Sequence, residues 1–390
     1  MKKIFISLMV AVATTAVAQT HTVELNKQSD HPFDYTVQVP DGNYRVTVTV
    51  GAKKRAAQTV VRAESRRHFF DAISTKKGKF ETVSFVVNKH SPQIDAKTRV
   101  KLKPKEFGYK NWDDSLTISF CGPAPAVKSI TIEPETTAVT MWLCGNSTVV
   151  DQEREPWASW GQMITRWFDD KVVIGNLAES GLSATSFLAQ GRLDKILSQL
   201  KKGDYVICEF GHNDEKEKRA GDGAWYSYSR NLKIYADRVR EKGGHIIFVT
   251  PTERRFFEKN GTLRHTHGDY PEAMRTVARR ENIPLIELNG MSRQMYMALG
   301  EEGSKKALVH YPAHTFVGQE TAFADDTHFN PFGAWEIAKM IVMGLKKMES
   351  PLVTHLRAEW QDFDPSHPDN PDTFVWHMSG ATDMAKPDGN

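Results

Sequence analysis

The sequence predicts two successive domains, a β-sandwich followed by an α/β domain whose parallel sheet is covered on both faces. Between residues 20 and 135, short alternating segments are separated by turn residues, which is typical of a sandwich. Between residues 138 and 350, short apolar segments alternate with amphipathic helical stretches, which indicates parallel strands joined by helices. The length of 390 residues and the hydrophobic content of 40% suit a globular protein of two domains.

The N-terminus has the features of an export signal. Residues 1–3 are Met-Lys-Lys, residues 4–13 are apolar, and residues 16–18 are Ala-Val-Ala, which fits a signal-peptidase site. The apolar run is too short for a membrane span. We therefore expect residues 1–18 to be removed and the mature chain to be periplasmic or secreted.

The charge and the cysteines exclude several classes of function. The formal charge is only +3 without a concentrated basic patch, so no nucleic-acid partner is expected. Cys121, Cys144 and Cys208 are too few for a disulfide framework and match no zinc-binding spacing. We expect these cysteines to be buried and expect no metal site.

The predicted β-sandwich domain covers residues 19–135. Its strands are predicted at residues 33–40, 44–50, 58–63, 80–87, 99–102, 116–121 and 127–132. Phe69, Tyr109 and Trp112 could form a surface that stacks on sugars, but such aromatic side chains more often lie in a core. Residues 133–136, Glu-Pro-Glu-Thr, are predicted to link the two domains.

The predicted α/β domain covers residues 136–350. Its strands are predicted at residues 138–144, 172–177, 205–210, 245–250 and 285–288, and its helices at residues 157–168, 184–200, 227–241, 271–281 and 331–348. Ser183 is placed to cap the second helix. Residues 351–390, rich in Pro, Asp and His, are predicted to form an extension that either wraps the domain or is partly disordered.

Polar residues follow the predicted strands, where a parallel sheet carries its site. Ser147 follows the first strand, Gly181 the second and Asn213 the third, and Asp325 and His328 precede the last helix. Together they offer a hydroxyl, a backbone amide, a side-chain amide and a carboxylate–imidazole pair, which is the set of groups that acyl transfer requires.

Each group has a predicted role. Ser147 would be the nucleophile, His328 its base, and Asp325, three residues earlier in the same predicted loop, would orient the imidazole. The N–H groups of Ser147 and Gly181 and the side-chain amide of Asn213 would form the oxyanion hole. The final helix would anchor the base, with Asn330 as N-cap, Pro331 at its first position, and a buried stripe of Trp335, Ala338, Ile341 and Leu345.

Other interpretations compete with this one. Taken singly, Ser147 could cap a turn, and Asn213 could stabilise its own loop. A glycosidase with Glu209 and Asp325 as its carboxylates would leave Ser147 and Asn213 unexplained. A carbohydrate-binding protein with an inactive hydrolase domain is a further alternative. The absence of a Gly-x-Ser-x-Gly motif disfavours an ordinary α/β-hydrolase.

Two arginines lie beside the predicted site. Arg254 and Arg255 follow the fourth strand at the same sheet edge. One of them could bind the carboxylate of a galacturonate, because a guanidinium fork matches a carboxylate. A solvated charge pair is an equally good interpretation.

Four sequence blocks resemble those of the SGNH (GDSL-like) hydrolase superfamily. They are Gly-Asn-Ser at residues 145–147, Gly181, Gly-His-Asn-Asp at residues 211–214, and Asp325-x-x-His328. A closer resemblance, to the sequences of rhamnogalacturonan acetylesterases, is found in residues 210–215, 249–255 and 325–330. One position departs from the pattern, because Asn146 stands where the first block usually has an aspartate.

The resemblance covers roughly residues 140–345 and has functional implications. It implies a three-layer α/β/α fold, no cofactor, a Ser147–His328–Asp325 triad, and removal of acetyl groups from plant cell-wall polysaccharide. The N-terminal domain resembles the galactose-binding-like modules that accompany such esterases. The expected partner is therefore an acetylated plant cell-wall polysaccharide or oligosaccharide. Pectic rhamnogalacturonan is the expected substrate, and xylan or another glycan is the alternative.

Overall fold

The computed structural model describes residues 19–388, so the predicted signal peptide lies outside the described residues. The N-terminal domain contains eight strands: β1 (His21–Gln28), β2 (Phe33–Gln38), β3 (Gly42–Gly51), β4 (Ala57–Ala63), β5 (Arg67–Thr75), β6 (Phe80–Lys89), β7 (Ser115–Ala124) and β8 (Ala126–Pro134). They form two antiparallel sheets, with the orders β1-β8-β3-β6 and β2-β7-β4-β5. Alternate residues of β3, namely Val46, Val48 and Val50, are buried between the sheets, as a two-layer sandwich requires.

The second domain is built on a five-stranded parallel sheet. Its strands are β9 (Val139–Cys144), β10 (Val172–Asn176), β11 (Tyr205–Glu209), β12 (His245–Val249) and β13 (Leu285–Ile286), in the order β10-β9-β11-β12-β13. Its helices are α1 (Trp160–Met163), α2 (Ala184–Ala189), α3 (Arg192–Gln199), α4 (Ser229–Glu241), α5 (Tyr270–Arg280), α6 (Leu288–Gly303) and α7 (Pro331–Lys347). An antiparallel pair, β14 (Leu308–Tyr311) and β15 (Phe323–Phe329), precedes α7.

Helices cover both faces of this sheet. Met141 and Leu143 of β9 belong to the core shared with α1, α6 and α7. Trp142 and Cys144 point the other way, into the core shared with α2 to α5. The predicted α/β/α layering is therefore confirmed, and all three cysteines are buried as expected.

Several predicted elements differ in detail. The helix predicted at residues 184–200 is two helices, because Gly191 between α2 and α3 adopts a positive φ of 75°. Helix α6, which is kinked at Gly300 (φ 73°), was not predicted, since three glycines and several polar residues interrupt its apolar pattern. Residues 99–102 form no strand beyond one isolated bridge. At the start of α7, Asn330 caps the helix as predicted by accepting the N–H of Gly333 at 3.0 Å.

The C-terminal extension wraps the molecule. After a 3₁₀ turn at Pro351–His355, it runs without regular structure along the junction of the two domains. There the guanidinium of Arg62 donates to the carbonyl of His377 at 2.6 Å and lies 3.8 Å from the centre of the Trp376 ring. Among residues 19–388, none of the helices is long and apolar enough to cross a membrane.

Buried ion pairs join the two domains. The guanidinium of Arg67 donates to Asp151 at 2.6 Å, and that of Arg192 donates to both carboxylate oxygens of Glu106 at 2.6 and 2.7 Å. All four side chains are fully shielded from solvent. Breaking such a pair is costly, because the remaining charge is left buried without compensation.

Candidate active site

The turn after β9 presents the Ser147 hydroxyl at the carboxyl edge of the sheet. The carbonyl of Asn146 accepts the N–H groups of Val149 and Val150, both at 3.0 Å, so the chain folds back sharply behind Ser147. A β-carbon at position 145 would lie 2.4 Å from Cγ2 of Val149, so only glycine fits at the start of this turn. The Ser159 hydroxyl donates to the Ser147 carbonyl at 2.6 Å and holds the turn from outside.

His328 connects Ser147 to Asp325. Its Nε2 lies 2.9 Å from Oγ of Ser147, and its Nδ1 lies 2.8 Å from a carboxylate oxygen of Asp325. These three side chains are almost fully buried, with exposed fractions of 4%, 1% and 3% for Ser147, His328 and Asp325. The structure therefore brings together the three residues that the sequence predicts as a triad.

Asp325 and His328 fall within the bounds of β15, where the sequence predicts a loop, but they lie in its bulged part. Only Phe323, Ala324 and Phe329 of β15 pair with β14, and residues 325–328 form the irregular segment between them. The carboxylate of Asp325 also accepts the backbone N–H groups of Thr327 and His328, at 2.8 and 3.0 Å. The side chain thus curls back along its own strand and orients the imidazole.

Hydrogen bonds stabilise the ionised form of the Asp325 carboxylate. Burial alone would raise the pKa of this carboxyl, but the side chain and backbone of His328 and the backbone of Thr327 lower its pKa to about 2. The carboxylate is therefore ionised at neutral pH and suits a hydrogen bond from an Nδ1–H group of His328. In that tautomer, Nε2 of His328 is a hydrogen-bond acceptor that faces the Ser147 hydroxyl.

The three predicted oxyanion donors lie in the nucleophile turn and in the loops that follow β10 and β11. One N–H of the Asn213 amide donates to the carbonyl of Leu182 at 3.0 Å, which leaves the second hydrogen of this –NH₂ group for another acceptor. Gly181 has a φ of 78°, within the left-handed region. Within residues 19–388, the backbone N–H groups of Ser147 and Gly181 donate no hydrogen bond to another residue. All three groups therefore have hydrogens to offer a substrate oxygen.

A buried polar cluster supports the nucleophile turn from below. The carboxyl of Glu209, at the end of β11, accepts from the hydroxyl of Thr148 at 2.8 Å and from the indole N–H of Trp160 at 2.5 Å. The same Thr148 hydroxyl lies 3.0 Å from Oδ1 of Asn146. Burial raises the pKa of Glu209 to about 7. Glu209 is thus a support of the turn, and Thr148 and Trp160 are site residues that the sequence offered no way of recognising.

The two predicted substrate-binding arginines are engaged within the chain. Arg254 donates to Glu215 at 2.5 Å and to the carbonyl of His212 at 3.2 Å. Arg255 donates to Asp326 at 2.6 Å, and each arginine is only 7% exposed. A contact between either residue and a substrate stays a prediction.

A three-layer α/β/α domain that carries a serine, a histidine and an aspartate at the carboxyl edge of its sheet defines a carboxylic-ester hydrolase of the SGNH superfamily. The chain belongs to the GDSL-like lipase/acylhydrolase family, whose family model matches residues 138–335.

Three relatives from Bacillus subtilis (strain 168) illustrate this membership. The chain is 37% identical over 220 residues to the rhamnogalacturonan acetylesterase RhgT. This alignment covers 56% of this chain and 94% of RhgT. It is 30% identical over 222 residues to the probable rhamnogalacturonan acetylesterase YesY, covering 56% of this chain and 98% of YesY. It is 26% identical over 319 residues to the uncharacterized esterase YxiM, covering 80% of this chain and 74% of YxiM.

Proposed function

We propose that this protein is an exported acetylesterase that removes O-acetyl groups from rhamnogalacturonan through an acetyl-enzyme on Ser147. The observation that carries the mechanism is the continuous contact from Asp325 through His328 to Oγ of Ser147. The substrate is proposed from the relatives named as rhamnogalacturonan acetylesterases. Export is proposed from the N-terminal sequence alone.

In the proposed acylation step, Oγ of Ser147 bonds to the acetyl carbonyl carbon while Nε2 of His328 takes the hydroxyl proton. The negative charge that develops on the carbonyl oxygen is stabilised by the N–H groups of Ser147 and Gly181 and by the amide of Asn213. The bond from the acetyl carbon to the sugar oxygen then breaks, and His328 returns its proton to that oxygen. Asp325 stabilises the transient imidazolium.

Deacylation repeats these steps with water in place of the serine hydroxyl. Water attacks the acetyl carbon, and His328 takes one of its protons. The ester bond to Oγ breaks, Ser147 regains a proton from His328, and acetic acid leaves and loses its proton to the solvent. Each group that the mechanism uses returns to its starting state.

Acetate release from acetylated rhamnogalacturonan, acetylated homogalacturonan and acetylated xylan tests the proposed substrate. We expect the highest kcat/KM on rhamnogalacturonan. Release from xylan alone would contradict the pectic substrate while leaving the mechanism intact. If the protein released acetate from none of the three glycans and not from p-nitrophenyl acetate, the enzymatic function would be contradicted. That result would favour a carbohydrate-binding protein.

Replacing Asp325 with asparagine should reduce kcat on p-nitrophenyl acetate by about 10⁴-fold, because the imidazole then loses the acceptor that holds its tautomer. The adjacent Asp326 is a matched control. Its carboxylate accepts from Arg255 at 2.6 Å and lies 3.0 Å from Nε2 of His310, outside the Ser147–His328 contact. Asp326→Asn should retain most of the activity. An enzyme that tolerates Asp325→Asn but not Asp326→Asn would show that the wrong carboxylate has been assigned.

A further inference from the structure

A cavity of about 330 Å³ lies beside the triad, where both domains and the C-terminal extension meet. Its lining includes Lys105, Tyr109, Gln152, Trp157, Lys386 and Asp388. Gln152 donates to the carbonyl of Ser147 at 3.2 Å, and the Trp157 ring meets the His328 ring edge to face at 5.8 Å between centroids. The cavity wall is therefore continuous with the catalytic side chains.

Two lysines from the N-terminal domain hold a carboxylate in this region. The Nζ atoms of Lys103 and Lys105 lie 3.1 and 3.0 Å from the same carboxylate oxygen of Asp388. Lys103 also donates to the carbonyl of Ser180, and a β-carbon at position 181 would lie 3.1 Å from Nζ of Lys103. The bound carboxylate thus lies against the loop that carries Gly181, one of the oxyanion donors.

The carboxylate belongs to the chain itself and is held weakly. The side chain of Asp388 is 50% exposed. The lysine side chains are 21% and 33% exposed, and ion pairs of this kind contribute little stability. The extension is fixed more firmly upstream, where the backbone of Glu155 exchanges hydrogen bonds with Ala381 and Asp383 at 3.0 and 2.8 Å. Another carboxylate could therefore displace Asp388 without detaching the extension.

Removing Asp388 would leave the lysines short of negative charge. The other carboxyl at this point is Glu179, 3.1 Å from Nζ of Lys105. Burial, followed by the nearby charge of Glu106, raises the pKa of Glu179 to about 7, so this group is only partly ionised near neutral pH. Arg154 and Lys386 line the same cavity together with the carboxyls of Glu153 and Asp383, and Lys386 lies 3.3 Å from Asp325. Without Asp388, Lys103 and Lys105 would therefore face Glu179 as their nearest carboxyl and would attract an anionic ligand at this point.

We propose that Lys103 and Lys105 form a subsite for a uronic acid carboxylate of the substrate, and that Asp388 occupies this subsite when no substrate is bound. Tyr109 and Trp157 present aromatic surface in the same cavity, against which a pyranose ring can pack. This inference rests on the proposed function, because it assumes ester hydrolysis at Ser147. The inference assigns to the N-terminal domain a role in substrate specificity.

The test compares substrates that differ in charge. The readout is the ratio of kcat/KM on an acetylated oligogalacturonate to that on a neutral acetylated xylo-oligosaccharide. Lys105→Met should lower this ratio by about tenfold or more through KM, as expected for the loss of one charge-assisted hydrogen bond. Lys105→Arg should restore most of the ratio. Lys110→Met is the matched control, because Lys110 pairs with Asp34 at 2.7 Å outside the cavity, and it should leave the ratio unchanged.

Asp388→Asn gives an independent test of the occupied subsite. This variant should lower KM for the acetylated oligogalacturonate and leave KM for the neutral substrate unchanged, because a competing carboxylate has been removed. An unchanged ratio in Lys105→Met together with an unchanged KM in Asp388→Asn would overturn the subsite. If the unmodified enzyme failed to hydrolyse p-nitrophenyl acetate, the proposed function itself would fail, so the two failures are distinguishable.

Discussion

Replacing Ser147 with alanine is expected to abolish acetate release, with a loss in kcat on the order of 10⁴-fold or more. Alanine removes the hydroxyl oxygen on which the proposed acetyl-enzyme forms. Since the change deletes one oxygen from a turn held by backbone hydrogen bonds, the fold should persist. Hydrolysis of p-nitrophenyl acetate measures the loss, and the thermal unfolding midpoint checks the fold.

A matched pair of histidines extends this test. His328→Ala should lose activity to a similar extent, because the residues of a triad act as a unit and their effects are not additive. His310→Ala should retain most activity, since His310 lies 3.0 Å from Asp326 rather than near Ser147. Near-normal turnover by Ser147→Ala with an intact fold would be incompatible with an acetyl-enzyme at this position.

Replacing Arg192 with methionine is expected to destabilise the protein by about 3–5 kcal/mol, the usual effect of removing one partner from a buried ion pair. Arg192 donates to both oxygens of Glu106 and to the carbonyl of Leu177, and neither charged side chain is exposed. Methionine would leave the Glu106 carboxylate buried without its counter-charge. Urea unfolding monitored by tryptophan fluorescence measures the free energy of unfolding.

An exposed ion pair provides the control for this prediction. Arg238 donates to Asp194 at 2.6 Å, but these side chains are 39% and 45% exposed. Arg238→Met should therefore cost less than about 1 kcal/mol. Equal losses of unfolding free energy in the two variants would show that the buried Arg192–Glu106 pair stabilises the protein no more than an exposed pair does. This pair also fixes the segment that carries Lys103 and Lys105, since the carboxylate of Glu106 accepts the N–H of Lys103 at 2.8 Å.

The central strands and the nucleophile could be predicted because their sequence patterns are local. Strands β9, β11 and β12 are buried on both faces, so each is a continuous apolar run. Ser147 and Asn213 follow such runs directly, and the rule for parallel sheets then places them at one edge. Asp325 and His328 could be recognised as a pair because only two residues separate them.

The features that could not be predicted depend on contacts between residues that are far apart in the sequence. Strand β15 pairs with β14 only at its two ends, through Phe323, Ala324 and Phe329, and its polar segment from Asp325 to His328 bulges out between them. The position of Asp388 beside Lys103 joins residues 285 positions apart in the sequence. The sandwich domain gave no local indication that the loop between β6 and β7 borders the catalytic residues. Long-range ion pairs of this kind leave no periodic pattern in a sequence.

Covalent labelling with diethyl p-nitrophenyl phosphate tests the central claim most directly, because this reagent phosphorylates an activated serine and the product is stable. Mass spectrometry of the digested protein identifies the labelled residue. We predict one diethylphosphoryl group per chain, located on Ser147, with activity lost in proportion to labelling. Complete inactivation with the label on any other residue would contradict the assignment of Ser147 as the nucleophile.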